Sequence, residues 1–303
     1  MNQQRAYSGI RSFLFTPGDH ERKVAKVFDA GADAVILDLE DAVANAAKAA
    51  TRAKVNAALA RPRRCLGYVR VNGTETEWWQ DDIASVVTAS TDGIVVPKVE
   101  SAEALKAMNL AIGKAERAAG LDEGSVDLMP IVETAAGVER IGEFAGAVAR
   151  VRRVAFGGGD YTLDLDFTWN EGEAVLAYAR AKLAHASRIA GLEPPIDTVV
   201  LQIKDDSRFL ASSRRGREFG FGGKLCIHPQ QVPLCHAVFT PSLDEIDHAR
   251  RVVAAFAAAE AAGSASIQLD GYFIDYPIVY KAQRVLALAE RIAQSQFAPE
   301  ETA

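Results

Sequence analysis

Residues 34–41 read AVILDLED: an unbroken apolar run, Ala34 to Leu37, set directly against three carboxylates, Asp38, Glu40 and Asp41. A short apolar run that is not diluted by alternation fits a strand buried on both faces. The sudden acidic cluster marks the end at which the chain leaves the core. The next segment, Ala42–Ala60, is Ala-rich with scattered Lys and Arg and reads as a helix. The same unit recurs along the chain. Further strands are expected at Ser12–Thr16, Gly67–Val71, Gly93–Pro97, Asp127–Val132, Arg153–Gly157, Thr198–Ile203 and Lys224–Ile227. Helical segments are expected at Glu21–Ala30, Ser101–Ala119, Gly137–Ala149 and Gly172–Ala190. Eight strand–helix units before residue 240 predict an α/β fold, a closed (β/α)8 TIM barrel, whose usual size is about 250 residues. A doubly wound open sheet is the alternative, weakened by the lack of G-x-G-x-x-G after the first strand.

Beyond the eighth strand lie a long helix, Ser242–Ala262, a small-residue linker, Gly263–Ser266, a short segment, Asp270–Tyr276, and a last helix from Pro277 to Ala293. Pro in a first helical turn is a good start signal. The expected organisation is a catalytic barrel over residues 1–240 and a C-terminal helical extension over 241–303. The tail Gln296–Ala303 is expected to fray.

The 303 residues are ample for a sizeable core, with 49% apolar and 24% charged residues. The net charge of -6 and the absence of a long basic run argue against nucleic acid as the main partner. No apolar stretch approaches the ~20 residues of a membrane helix, and Met1–Ile10 lacks a signal-peptide core. The three cysteines, Cys65, Cys226 and Cys235, have no C-x-x-C spacing and read as small inert thiols in a reducing cytoplasm.

Active sites of such barrels lie at the C-terminal ends of the strands. There this sequence delivers Asp38, Glu40 and Asp41 from strand two, Arg70 from strand three and Lys98 from strand four. Glu133 ends strand five, Gly157-Gly158-Gly159-Asp160 ends strand six, and Ile227-His228-Pro229 ends strand eight. Ionisable groups at the same end of six strands are unlike surface scatter. Glu133 and Asp160 suit a hard divalent cation such as Mg²⁺, which takes oxygen ligands and one or two carboxylates. The alternative for Glu133 is a carboxylate favoured by a helix N-terminus. The glycine run either offers N–H groups to an anion or merely makes a tight turn. Arg70 has a fork fitted to a substrate carboxylate, or else pairs with the acids of strand two. At least one of Asp38, Glu40 and Asp41 is expected to orient metal-bound water or Arg70.

Other polar residues read as bland. Asp164 and Asp166 look like an alternating half-exposed segment. His185, His236 and His248 fall on helical runs and are expected in solvent. His20 is a candidate cap for the first helix, and Trp78-Trp79 reads as packing.

The segments Arg11–Asp19, Gly31–Val43, Arg70–Gly73, Pro97–Glu100, Ile131–Gly137, Gly223–Gln231 and Phe239–Ser242 together resemble the citrate lyase β-subunit-like proteins of the HpcH/HpaI aldolase/citrate lyase family. The resemblance spans nearly the whole chain in order. It implies a Mg²⁺-dependent barrel that makes or breaks a C–C bond beside a carbonyl in a citryl, citramalyl or malyl thioester. Glu133 and Asp160 match the family's metal ligands, and Arg70 matches the arginine that holds the substrate carboxylate. Gly158 and Gly159 match its carboxylate-binding loop, with Glu40 and Asp41 beside the substrate. Phe15, Pro17, Ile227 and Pro229 lie where the family binds CoA. Asp275 matches an aspartate that some members supply to a neighbouring subunit's site, and is the candidate acid/base; its alternative is an N-cap of the last helix.

The resemblance further implies a homo-oligomer, a trimer or hexamer, in which the C-terminal extension takes part. Tyr161, Phe167 and Trp169 depart from the family's short polar loop and are expected to reshape the pocket. Asp41 stands where the pyruvate aldolases of the group carry a histidine, which favours the thioester branch. The other readings are thioester hydrolysis, malate-synthase-like condensation, or a non-catalytic acyl-CoA-binding lyase subunit.

Overall fold

The computed structural model describes residues 9–295. Eight parallel strands close into a barrel in sequential order, with β8 returning to β1. They are β1 (Ser12–Pro17), β2 (Ala34–Asp38), β3 (Leu66–Arg70), β4 (Gly93–Val96), β5 (Asp127–Val132), β6 (Ala155–Phe156), β7 (Ile196–Asp197) and β8 (Gly223–Cys226). Around them run α1 (Glu21–Val27), α2 (Lys48–Leu59), α3 (Trp79–Val86), α4 (Ala102–Ala118), α5 (Ala135–Phe144), α6 (Gly158–Asp164), α7 (Ala177–Ile189), α8 (Asp206–Glu218) and α9 (Gln231–Phe239). The fold is therefore a (β/α)8 barrel, with every residue of β2, β4 and β5 buried.

The two-residue period of a strand divides the barrel's contents. Leu14, Val35, Leu37, Val69, Ile94 and Leu128 join the apolar layer under the helices. The residues between them, Phe13, Ile36, Asp38, Tyr68 and Arg70, point the other way. Tyr68 meets Phe13 edge-on at 5.4 Å and donates its hydroxyl to Asp127 at 2.7 Å. Gly93 makes room for that ring, since a Cβ there would lie 2.2 Å from it. Asp38 is registered directly across from Arg70. Both therefore sit at the C-terminal rim of the inner face.

The seventh strand is not where alternation of apolar residues places it. It covers Ile196–Asp197, and 198–203 continues as irregular chain with Leu201 58% exposed and Ile203 40% exposed. The strand carries a fully buried acid, which hides it from a hydropathy reading. Asp197 is neutralised by Lys224 at 2.7 Å and by Arg180 through two bonds of 3.0 Å. The expected alternating segment around Asp164 and Asp166 is instead the end of α6 and the turn after it, where Asp166 has positive φ, and Asp164 accepts from the N–H of Ala135 at 2.7 Å. His236 is not in solvent, as its helical position suggests. It is mostly buried, with Nε2 2.8 Å from Ser12 Oγ and 3.4 Å from Asp33. All three cysteines are free and buried. Trp79 packs on the core, and Lys48 Nζ lies 5.2 Å over the Trp78 ring.

The described chain divides into two compact units. The barrel comprises Arg11–Phe239; the second takes residues 9–10 and 240–295 of those described. The second unit contains α10 (Leu243–Ala261), the antiparallel hairpin β9 (Ile267–Leu269) and β10 (Tyr272–Ile274), and α11 (Tyr276–Ser295). Ser242 and Glu245 form a capping box that starts α10. Asp270 and Gly271, both with positive φ, make the hairpin turn. Ala249, Val252, Phe256, Ile274 and Val279 form the unit's own core. The expected tail 296–303 lies outside the described residues. Among the described residues no helix is long and apolar enough to cross a membrane.

Candidate active site

The rims of β2 to β5 carry one connected set of charges. Arg70 donates from Nε to Asp38 Oδ1 at 2.8 Å and from a terminal nitrogen to Asp38 Oδ2 at 2.5 Å. Its other terminal nitrogen lies 2.8 Å from Glu40 Oε2, but that oxygen is buried with no aligned donor. Glu40 Oε1 instead accepts from Lys98 Nζ at 2.7 Å, and the exposed Asp41 stands 3.4 Å from the same nitrogen. Lys98 also donates its main-chain N–H to Glu133 Oε1 at 2.9 Å. Of the two readings open for Arg70, pairing with the strand-two acids is thus realised. Of the guanidinium's five N–H donors, the Asp38 fork uses two, so three lie outside it, on the side that also faces Glu40. Burial would lower the Arg70 pKa, but Asp38 and Glu40 beside it raise it, so it stays cationic. Burial raises Glu40 above the usual carboxylate range, against the pull of Arg70 and Lys98.

Glu133, 3% exposed, ends at the same rim. Burial first, then the neighbouring charge of Asp160, pushes its pKa up to about 8. A buried carboxyl group held beside a second negative charge is the situation a divalent cation resolves. The space beside Glu133 depends on Gly157, where a Cβ would lie 2.2 Å from Glu133 Oε2. Thr134 caps α5 by accepting from Gly137 N–H at 3.0 Å, so Glu133 is not needed for that task. The described residues contain no group of three or more His, Cys, Asp or Glu side chains that could hold a metal. An acidic pair fits Mg²⁺, which uses one or two carboxylates and leaves other positions to water and substrate. The donor set therefore fits that ion.

The glycine run is only partly open. Gly158 gives its N–H to Thr198 Oγ1 at 2.8 Å, whereas a Cβ on Gly159 would meet nothing within 4 Å. Phe15 lies under Arg70, its ring 5.0 Å from the guanidinium carbon, and Pro17 is registered against Asp38. Ile227 is half-buried and held by its N–H to Gln231, and Pro229 is exposed. Asp275 belongs to the second unit, where its carboxylate accepts a long 3.5 Å bond from Ile278 N–H at the start of α11. Tyr161 is 3% exposed and packs edge-on against Phe156, so it is core. Phe167 is 42% exposed beyond it. The sequence places Lys98 at a strand end without assigning it a role, and it leaves the Asp38 pairing open. The two-residue strand period is the signal that aligns Asp38 with Arg70.

A family profile described as HpcH/HpaI aldolase/citrate lyase matches residues 11–229. The chain is 35% identical to citrate lyase subunit beta of Escherichia coli (strain K12), over 95% of this chain and 96% of that protein. It is likewise 35% identical to a (3S)-malyl-CoA thioesterase of Cereibacter sphaeroides (strain ATCC 17025 / ATH 2.4.3), over 94% of this chain and 96% of that protein. Among solved structures it is similar to the protein CitE from Mycobacterium tuberculosis in complex with magnesium, acetoacetate and coenzyme A. There the TM-score is 0.76 at 28% identity, covering 93% of this chain and 99% of the other.

Proposed function

The chain belongs to the HpcH/HpaI aldolase/citrate lyase family, and on that premise we propose that it is a Mg²⁺-dependent carbon–carbon lyase acting on a citramalyl-, malyl- or citryl-type thioester, giving a keto acid and an acyl-CoA. The observation that carries the reading is the rim on which Arg70, Lys98, Glu40 and Glu133 are joined, with Asp160 beside Glu133. Glu133 and Asp160 would hold the metal, which when bound supplies positive charge for an alkoxide or enolate oxygen. Arg70, aligned by Asp38 and Phe15, binds the substrate's carboxylate and fixes which C–C bond faces the acids. Gly159 lets the substrate approach the backbone closely. Lys98 and Arg70 offset the charge of Glu40 and Asp41, which would otherwise repel an anionic substrate. Asp275 is assigned the transfer of a proton to or from the enolate carbon. The second unit exposes Tyr272 and Phe273 on its hairpin, 70% and 67%, which supports a homo-oligomer in which this unit takes part.

Thioester hydrolysis is the second reading, favoured by the malyl-CoA thioesterase relative. Both are tested by incubating the Mg²⁺-loaded protein with citramalyl-, malyl- and citryl-CoA, with an EDTA control. Metal-dependent release of pyruvate, glyoxylate or oxaloacetate with the matching acyl-CoA is expected. Free CoA and a hydroxy acid without a keto acid would replace the lyase by the hydrolase. Silence on all three would remove both.

A further inference from the structure

Lys98 stands apart from the other rim residues in its backbone. Its φ is +52°, a left-handed conformation that a non-glycine residue adopts at a cost. The preceding Pro97 and the main-chain bond from Val99 N–H to Ile131 O confine the chain on either side. In that conformation the N–H of Lys98 faces Glu133 Oε1 at 2.9 Å while its side chain runs the other way, to Glu40 Oε1 at 2.7 Å. One residue thus touches both halves of the site. Glu40 has two oxygens and two cations beside it. With Oε1 on Lys98, only Oε2 faces Arg70, at 2.8 Å and out of alignment for a hydrogen bond. Outside the Asp38 fork, Arg70 thereby keeps N–H donors that no aligned hydrogen bond to Glu40 uses.

We propose that Lys98 is a positioning residue with two separable arms: its left-handed main chain fixes Glu133 for the metal, and its ammonium group restrains and neutralises Glu40 so that Arg70 can receive the substrate's carboxylate. The inference rests on the reading of the rim as a site for a metal ion and a carboxylate substrate. Without the ammonium group, Glu40 Oε1 loses its partner and Glu40 is free to turn both oxygens onto Arg70, where it competes with the incoming carboxylate. Substrate affinity then falls while Glu133 keeps its N–H partner. A β-branched residue at position 98 acts on the other arm, because branching at Cβ is poorly tolerated at positive φ.

The test uses the full-length protein and binding readouts: Mn²⁺ affinity by electron paramagnetic resonance, and oxaloacetate affinity of the Mg²⁺-loaded protein by calorimetry. Thermal unfolding and circular dichroism verify that each variant is folded. Lys98→Met keeps the N–H and the aliphatic stem. It is expected to hold Mn²⁺ within about threefold of wild type and to bind oxaloacetate about tenfold more weakly, the size of a lost charge-assisted contact. Lys98→Arg is expected to restore oxaloacetate affinity to within about threefold. Lys98→Val, equally neutral, is expected to lose about tenfold in Mn²⁺ affinity relative to Lys98→Met. Unchanged oxaloacetate affinity in Lys98→Met, or no recovery in Lys98→Arg, overturns the side-chain arm. Equal Mn²⁺ affinity in the Val and Met variants overturns the main-chain arm. Wild type that binds Mn²⁺ but not oxaloacetate overturns the reading of the site itself, and the inference with it.

Discussion

Asp38 and Arg70 are cross-strand partners in register, and their side chains close a two-bond fork of 2.8 and 2.5 Å at the inner rim of the barrel. The fork occupies one edge of the guanidinium and turns the remaining terminal edge toward Glu40 and the rim. Asp38 thereby determines the direction in which Arg70 presents charge.

Asp38→Asn weakens one bond of the fork and leaves the Arg70 charge buried with less compensation. A stability loss of about 3 kcal/mol is expected from urea unfolding, because one partner of a buried pair has been altered. Arg70→Lys keeps a charge but loses the fork, and kcat/KM is expected to drop about a hundredfold, mostly through KM. A kcat/KM within threefold of wild type in Arg70→Lys would remove Arg70 from carboxylate recognition.

Gly157→Ala puts a methyl group where Glu133 Oε2 now lies, 2.2 Å away, so the carboxylate must move. Its metal affinity is expected to fall at least about tenfold, and Glu133→Gln to abolish metal-dependent turnover with circular dichroism unchanged. Normal Mn²⁺ binding in Gly157→Ala would show that Glu133 is not a ligand.

The raised pKa of Glu133, about 8 against an ordinary 4.5, has a definite sign. Between those values the folded metal-free protein retains a proton that the unfolded chain has lost. This group therefore contributes stability at low pH, and the contribution is lost as pH rises through 8. Metal requires the carboxylate, so binding at pH 6.5 should release about one proton and weaken as pH falls. Calorimetry in buffers of different ionisation enthalpy measures the release; identical heats in all of them would contradict the assignment.

The Asp275 carboxylate accepts a 3.5 Å bond at the start of α11, too long to matter much as a cap. Asp275→Asn is therefore expected to change stability by less than about 0.5 kcal/mol and Mn²⁺ affinity hardly at all, while kcat falls about a hundredfold or more. Mixing Asp275→Asn with Glu133→Gln protein should raise activity above that of either variant alone if subunits share sites. A large stability loss with kcat intact would make Asp275 a structural residue.

The barrel and the charged residues at its rim are legible in the sequence because both depend on local pattern. Apolar runs such as Ala34–Leu37 end abruptly in charge, and that change of composition marks the rim without knowledge of the fold. The same rule hides β7, where Asp197 is compensated by Arg180 and Lys224 from 17 and 27 residues away in the chain. It also hides the burial of His236, whose partner Ser12 lies 224 residues earlier.

Strand–helix alternation, the rim position of Arg70, Glu133 and Asp160, and the family pattern they carry are all set within the one-dimensional chain, since periodicity and residue type are properties of sequence neighbours. Which oxygen each cation takes is set by folding in three dimensions: Arg70 is held by Asp38, Gly158 is occupied by Thr198, and Lys98 links Glu40 to Glu133. Those contacts join residues brought together by barrel closure, and hydrogen bonding at such distances depends on angles and spacings that no linear pattern encodes.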